Sequence, residues 1–355
     1  MFLALKELKQ SKLRYGLIGT IMMLLSFLVL IISGLANGLS HANASSIIEM
    51  KADKFILSND AEGKLLRSQI KKEDVDKVLA QVDAKDAVPM HIKVATFEKE
   101  GSSNKVDVAI FSSKQDSFIA PKVIEGKNGT LENNEIIADE SIKEKGIKLG
   151  DELVDPVSQK VFKVVGFTQN QMFSHAPVVH MNENVWDSIA LPHQKDYSVI
   201  ALNTDKKIDN ATVVDKKEVL QSIPGYKEEQ GTLTMIIAFL LVISALLIGV
   251  FFYVITLQKT HQLGVLKAIG TKNSYLANSL VVQSIFLSGV ALIIGIGLIF
   301  AVQAVLPASM PFLLTTTTTI LQYAGIFILI SIFGTLISLY QVLKVDALEA
   351  IGGGM

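Results

Sequence analysis

The sequence of 355 residues contains no cysteine. Without thiols the chain cannot form disulfides, thiolate zinc sites, iron–sulfur clusters or a cysteine nucleophile, and it has no cysteine for an N-terminal lipid anchor. Charge is also scarce, since 19% of the residues are charged while 50% are hydrophobic. That composition is too apolar for a soluble protein of this length and indicates a membrane protein.

Charged residues are missing altogether from four long hydrophobic runs, at residues 17–39, 231–257, 279–306 and 320–343. Each run has at least the roughly 20 residues that a membrane-spanning helix needs. Ion pumps and proton-coupled transporters usually carry carboxylates or basic groups inside such helices. Their absence here favours a protein that is driven from outside the bilayer.

Catalytic motifs are missing as well. The sequence has no Walker A motif, no Gly-x-Ser-x-Gly, no His-Glu-x-x-His and no EF-hand loop. The six histidines show no close metal-ligand spacing, and we expect His175 and His180 to be ordinary surface residues. We therefore predict a subunit that is not an enzyme, without catalytic, cofactor-binding or metal sites, and with ATP bound only by a partner subunit.

The N-terminal segment combines basic and apolar residues. Residues 1–16 predict a cytoplasmic amphipathic helix that lies at the membrane surface. A signal peptide is the alternative, because Ala42-Asn43-Ala44 offers a cleavage site. Signal peptides have hydrophobic regions of about 7–15 residues, so the longer run at 17–39 favours a retained membrane helix.

Residues 40–230 differ in character from the rest of the chain. They hold 31 of the 34 acidic and 25 of the 33 basic residues, and this acidic balance argues against nucleic-acid binding. The pattern predicts an α+β domain. We expect a helix at 71–83, a short helix at 141–148, and strands at 91–97, 106–112, 135–138, 161–167, 177–180 and 197–202.

The lysines near the hydrophobic runs predict one membrane topology. Lys259, Lys267 and Lys272 lie in the loop 258–278, and Lys344 follows the last run. Because lysine-rich loops stay in the cytoplasm, both termini, this loop and the tail 344–355 are placed inside. The domain 40–230 and the uncharged loop 307–319 are placed outside, which predicts a multi-pass protein of the cell membrane.

Small residues recur four positions apart inside the runs, a spacing that lets helix backbones approach closely. The pairs are Gly34 with Gly38, Ala245 with Gly249, and Gly334 with Ser338.

The loop 258–278 has an apolar side. Leu263, Leu266 and Ile269 recur at helical spacing, so the loop is predicted to form a turn or two of helix with one apolar face. A solvated linker needs no such face, and we predict that it docks a cytoplasmic partner. The predicted docking residues are Lys259, His261, Leu263, Gly264, Leu266, Lys267, Ile269 and Gly270.

Residues 258–271, with the core Gly-Val-Leu-Lys-Ala-Ile-Gly, resemble the cytoplasmic loop of MacB/FtsX-type ABC transporter permeases. Gln262-Leu263 departs from the glutamate that many members carry before the first glycine. Residues 345–350 are similar to the closing motif of the family, with Ala347 in place of the usual proline. Residues 147–151 and 162–166 are similar to the MacB-type core domain.

This resemblance implies a membrane α-helical fold of four transmembrane helices with an α+β extracytoplasmic domain of MacB-like core type. Helical stems near residues 41–50 and 219–231 would join the two parts. The resemblance also implies a homodimer that works with two copies of a separate ABC ATPase seated on the loop 258–278. Such permeases act by mechanotransmission, in which closure of the ATPases moves the spans and the outer domain.

Residues 4–8, 32–39 and 251–260 resemble the haem-efflux members of the family. This implies that haem is extruded from the membrane to relieve haem toxicity, as a transported ligand and not as a covalent cofactor. Haem iron takes axial ligands such as His, Met or Tyr. Near the outer membrane face, with His41 close by, the candidates are Glu49, Met50, Tyr226, Glu229 and Met235. Packing or solvation is the alternative role for each.

Other functions stay open on the same fold. The exported substrate can instead be an antimicrobial peptide, a macrolide or a lipoprotein. An FtsX-like regulator of extracellular hydrolases moves no substrate and pulls on an outside partner. A membrane-anchored scaffold would bind no ATPase, and the basic, apolar loop disfavours that role.

Overall fold

The structure is a computed structural model that describes residues 11–102, 104–190, 195–306, 310, 312–313 and 317–344. The chain divides into two compact units. We call Met1–Asn37 with Thr232–Met355 the membrane unit, and Gly38–Gly231 the outer unit. The predicted segments 1–10 and 345–355 lie outside the described residues.

The helices follow the hydrophobic and amphipathic stretches of the sequence. In chain order they are α1 (Lys12–Ile48), α2 (Lys72–Leu79), α3 (Trp186–Ile189), α4 (Lys216–Ser222), α5 (Tyr226–Gln258), α6 (Thr260–Ala268), α7 (Asn273–Val305) and α8 (Thr317–Lys344). Within the described residues, α1, α5, α7 and α8 are long and apolar enough to cross a membrane. Helices α1 and α5 extend beyond their apolar runs, so that their outer ends belong to the outer unit.

The four long helices approach one another closely at glycines in the membrane unit. A Cβ on Gly334 of α8 would lie 3.0 Å from the backbone nitrogen of Gly249 on α5. A Cβ on Gly34 of α1 would lie 2.6 Å from the ring of Phe312. Each of the three predicted small-residue pairs thus contributes one glycine, Gly34, Gly249 or Gly334, to a close contact of the kind that lipid-embedded helices use.

Hydroxyl groups also join helices inside the membrane unit. The side chain of Ser284 on α7 donates to the backbone carbonyl of Ser331 on α8 over 3.0 Å, and both residues are fully buried. Ser26 of α1 lies against α7, where a Cβ on Gly295 would be 2.7 Å from its Oγ. Each hydroxyl therefore sits where a larger side chain would separate the helices.

The outer unit is built on a mixed sheet. Its described strands are β1 (Lys54–Leu57), β2 (Ala87–Lys99), β3 (Lys105–Ser113), β4 (Val123–Gly126), β5 (Glu135–Asp139), β6 (Glu152–Asp155), β7 (Lys160–Thr168), β8 (Met172–Phe173), β9 (Ala176–Asn182), β10 (Val199–Leu202) and β11 (Thr212–Asp215). The strand order is β11-β1-β10-β2-β3-β9-β5-β7-β4, with β6 beside β2 and β7, and β8 beside β9. The pairs β3–β9 and β5–β7 are parallel, whereas the other pairs are antiparallel.

Both faces of the central strands are covered. Along β3, Val108 and Ile110 enter one apolar cluster, whereas Ala109 and Phe111 enter another. This alternation follows from side chains that point to opposite faces of a strand. Ile47, near the outer end of α1, is fully buried in the cluster that contains Phe111.

The six strands predicted from alternation correspond to β2, β3, β5, β7, β9 and β10. The shorter strands β1, β4, β6, β8 and β11, of two to four residues, were missed because so few residues show no periodicity. The segment predicted as a short helix at 141–148 is instead a 3-10 helix over Glu140–Lys145. Asp139 caps it, its side chain accepting from the Ser141 N–H.

His91 of β2 lies between two aromatic rings. Its ring centroid is 4.5 Å from that of Trp186 and 4.3 Å from that of Tyr197, with nearly parallel planes. Nδ1 of His91 is 3.1 Å from the carbonyl oxygen of Asp196, so the neutral ring donates there. Burial lowers the pKa of His91 to about 4, although this hydrogen bond opposes the shift.

We expect Gly334→Val to lower the stability of the membrane unit by about 1–3 kcal/mol, because the new side chain meets backbone atoms of Gly249 that cannot move aside. Thermal unfolding of the purified protein measures this effect. Gly325→Val is the matched control on the same helix, since its Cβ meets nothing within 4 Å. Equal melting temperatures for the two variants would contradict the close contact.

The outer unit should lose stability as the pH falls from 6.5 to 4. In the unfolded chain a histidine binds its proton near pH 6.5, whereas folded His91 binds it only near pH 4. His91 alone contributes about 3 kcal/mol to this loss at pH 4. Denaturant unfolding followed by the fluorescence of Trp186, the single tryptophan, measures it.

His91→Phe keeps the stacked ring and removes this proton-binding group, so we expect a flatter dependence of stability on pH. A residual slope of the same sign is expected from His180, because burial lowers its pKa to about 3. An unchanged dependence of stability on pH in His91→Phe would exclude a contribution from His91.

Candidate functional site

The segment between the second and third long helices forms a short capped helix. One residue, Lys259, separates the end of α5 from the start of α6. Helix α6 ends before Gly270, which has a left-handed φ of +93°. The Thr271 N–H donates to the Leu266 carbonyl over 3.0 Å, and the Gly270 N–H donates to the Lys267 carbonyl over 2.9 Å. These two bonds form a Schellman motif, which explains the second glycine of the Gly-Val-Leu-Lys-Ala-Ile-Gly core.

The predicted apolar face of this segment is divided. Leu266 is half-buried and packs against Leu276 and Leu280 of α7, whereas Ile269 is 74% exposed. Val265 is also exposed. The predicted apolar face is thus used in two ways: α7 partly covers Leu266, whereas Ile269 stays exposed, and the docking role of these residues stays a prediction.

The other predicted docking residues differ in exposure. His261 and Gly270 are exposed, Lys267 is half-buried and Gly264 is buried, while the side chain of Leu263 lies outside the described residues. Lys259 is 7% exposed, and its Nζ donates to the hydroxyl of Tyr15 on α1 over 2.8 Å. The prediction of Lys259 as a docking side chain on a solvent-facing loop is therefore corrected, because it is buried among the helices.

Two of the substrate candidates lie in a polar cluster of the outer unit. The Glu229 carboxylate is 3.0 Å from Nε2 of His175 and 3.5 Å from Nδ2 of Asn43. The Tyr226 hydroxyl accepts from Ser40 Oγ over 3.1 Å. Helices α1 and α5 thus bring Tyr226 and Glu229 to the same polar surroundings, which we call the stem cluster (Ser40, Asn43, His175, Tyr226 and Glu229).

Unpartnered polar atoms accompany this cluster. Nδ1 of His41 and Oδ1 of Asn43 are buried and have no hydrogen-bond partner among the described residues. Asn43 is fully buried, and its Nδ2 also donates to the Pro224 carbonyl over 3.2 Å. A polar ligand could bind to unpartnered atoms of this kind, Nδ1 of His41 and Oδ1 of Asn43.

The remaining candidates differ in exposure and in surroundings. Glu49 is exposed, and Met235 is 54% exposed in the membrane unit. Met50 is 8% exposed and belongs to the apolar core of the outer unit. Its proposed role as a substrate ligand is therefore corrected to packing, since its side chain is surrounded by core residues.

His175 was missed as a member of the site. It follows Ser174 in the turn between β8 and β9, where both residues have left-handed φ values. Its partner Glu229 lies 54 residues further along the chain, and no local pattern reports a contact over that separation. His180 is also not an ordinary surface residue, because its half-buried ring lies edge-on to Phe111 and its Nε2 is 3.2 Å from Gln171 Oε1.

The C-terminal third of the chain matches a known family. The family described as FtsX-like permease C-terminal matches residues 234–347. The matched residues include α6 and the described parts of α7 and α8.

Full-length relatives extend this match. A protein of Staphylococcus haemolyticus, described as "Putative hemin transport system permease protein HrtB", is 33% identical over 99% of both chains. A protein of Staphylococcus epidermidis with the same description is 33% identical over the whole of both chains. An uncharacterized ABC transporter permease of Mycobacterium tuberculosis is 25% identical over 99% of both chains.

Two solved structures are similar to part of the chain. The extracellular domain of the ABC-type transporter YknZ from Gram-positive bacteria covers 44% of this chain and 83% of its own, with 16% identity and a TM-score of 0.32. The periplasmic region of MacB from Actinobacillus actinomycetemcomitans covers 50% of this chain and 94% of its own, with 10% identity and a TM-score of 0.35.

The relatives match the chain from end to end, through the four long helices, the outer unit and the capped helix α6. A permease of this type is a non-catalytic membrane subunit. The chain belongs to the FtsX/MacB-type family of ABC transporter permeases.

Proposed function

We propose that this protein is the permease of an ABC exporter that removes haem from the membrane. Two copies of the chain would pair and work with two copies of a separate ABC ATPase, by mechanotransmission. Both termini and α6 would lie in the cytoplasm, and the outer unit would lie outside. The observation that carries the proposal is the exposed, capped helix α6 in a chain that has no nucleotide-binding motif.

Helix α6 suits the docking of an ATPase in three ways. The Schellman motif ends the helix firmly, so the helix presents a defined surface. One side of α6 packs against α7 through Leu266, and Val265 and Ile269 stay exposed. Exposed apolar side chains of this kind mark protein contacts. We therefore place the docking contact on Val265 and Ile269 and assign Leu266 to holding α6.

Haem as the substrate is supported by the descriptions of the staphylococcal relatives as hemin transport permeases and by the chemistry of the stem cluster. A tyrosine hydroxyl and a histidine imidazole are both known axial ligands of haem iron. Tyr226 and His175 supply these groups in the stem cluster, and Asn43 adds an unpartnered amide oxygen. Glu49 and Met235 stay candidate contacts outside the cluster.

We expect Ile269→Glu to lower permease-stimulated ATP hydrolysis by about tenfold or more, because a charge replaces an apolar contact at the docking surface. Hydrolysis by the reconstituted complex measures this effect. Ile269→Leu is the control and should keep full stimulation. Leu266→Glu should also abolish coupling, but with loss of α6 itself, since it breaks the contact with Leu276 and Leu280. Full stimulation by Ile269→Glu would contradict the docking role.

Haemin added to the purified permease should give a saturable Soret band at a defined stoichiometry. Glu229→Gln should weaken haemin binding by about tenfold, because it removes the charge that polarises His175. Glu228→Gln is the matched control, since Glu228 is the exposed neighbour.

Deletion of the gene should also raise sensitivity to haemin. Absence of the Soret band together with unchanged sensitivity of the deletion strain to haemin would contradict the haem proposal. That result would favour a peptide, macrolide or lipoprotein substrate.

A further inference from the structure

Four buried polar side chains form a hydrogen-bonded network in the membrane unit. Lys259 Nζ donates to the Tyr15 hydroxyl over 2.8 Å, and this hydroxyl donates to Gln283 Oε1 over 2.8 Å. Nε2 of Gln283 continues the chain to Ser279 Oγ over 3.4 Å. We call these four residues the Tyr15 network. It joins α1, α7 and the junction between α5 and α6.

The network is shielded from solvent. Tyr15 is 3% exposed, Lys259 is 7% exposed and Gln283 is 1% exposed. The Lys259 ammonium also lies 5.4 Å from the centroid of the Tyr15 ring, within the range of a cation–π contact. Removing one partner from such a network leaves the others buried with lost hydrogen bonds, so its members depend on one another.

The place of Lys259 in the chain gives the network its significance. Lys259 is the one residue between the end of α5 and the start of α6. A helix of nine residues is too short to be stable by itself, so α6 depends on tertiary contacts. Leu266 fixes the later part of α6 to α7, and Lys259 fixes its start to α1 through Tyr15.

We propose that Tyr15, Lys259 and Gln283 are positioning residues that bind the start of α6 to α1 and α7. A displacement of α6 is then passed directly to α1, and not only along the continuous chain into α5. The second part of this proposal rests on the proposed function, because an ATPase must move α6. The first part is a property of the permease alone.

Hydrogen–deuterium exchange of residues 260–268 in the full-length reconstituted permease tests the first part. Tyr15→Phe keeps the ring and removes the hydroxyl, and Lys259→Met keeps the length and removes the charge. Each should speed exchange in α6 by about tenfold, and the double variant should add little to either, because both break the same bond. Tyr253→Phe and Lys12→Met are the matched controls, since both side chains are exposed.

Unchanged exchange in α6 for Tyr15→Phe, or fully additive effects in the double variant, would overturn the positioning role. Lys259→Arg is the control for misfolding of Lys259→Met. Its guanidinium can also donate to the Tyr15 oxygen, so exchange in α6 should stay slow. Equally fast exchange in Lys259→Arg and Lys259→Met would count against a specific bond to Tyr15.

Reconstitution with the ATPase tests the second part. Tyr15→Phe should keep ATPase stimulation and export several-fold less haemin per ATP, whereas an unchanged ratio would overturn the direct transmission to α1. If the wild-type permease stimulates no ATPase, the proposed function fails and transmission falls with it. The exchange measurement then still decides whether the Tyr15 network holds α6.

Discussion

The bilayer interior offers no water to satisfy backbone hydrogen bonds, and the membrane unit is arranged around this constraint. Its chain crosses as long helices that pair their own N–H and C=O groups. Hydrophobic burial does not drive such helices together, so their contacts rely on close packing and a few buried hydrogen bonds. The contact between Gly249 and Gly334 is of the first kind, and the bond between Ser284 and Ser331 is of the second.

The same constraint explains the contrast between α6 and the long helices. Helix α6 has only nine residues, and it needs both a cap and lateral contacts to form. Gly270 provides the left-handed residue of the cap, and Leu266 and Lys259 provide the contacts. These three residues therefore hold the helix, while Val265 and Ile269 stay exposed.

The outer unit obeys the rules of water-soluble folding. Its central strands bury both faces, and three apolar clusters of the described residues and cross-strand pairs stabilise it. Four of the five residues of the stem cluster lie on α1 and α5, where these helices extend beyond their apolar runs, and His175 lies in the turn between β8 and β9.

Hydrophobicity, lysine bias and periodicity are properties of the chain itself. The sequence alone therefore determined the four long helices, six of the strands of the outer unit and the helical segment at α6. Contacts between distant residues depend on how these elements pack. Only the tertiary structure turned Leu266 inward, buried Lys259 against Tyr15, placed Met50 in the core and brought His175 to Glu229. The physical reason is that burial of a side chain is set by the neighbouring element that covers it, and no local pattern in the sequence specifies that neighbour.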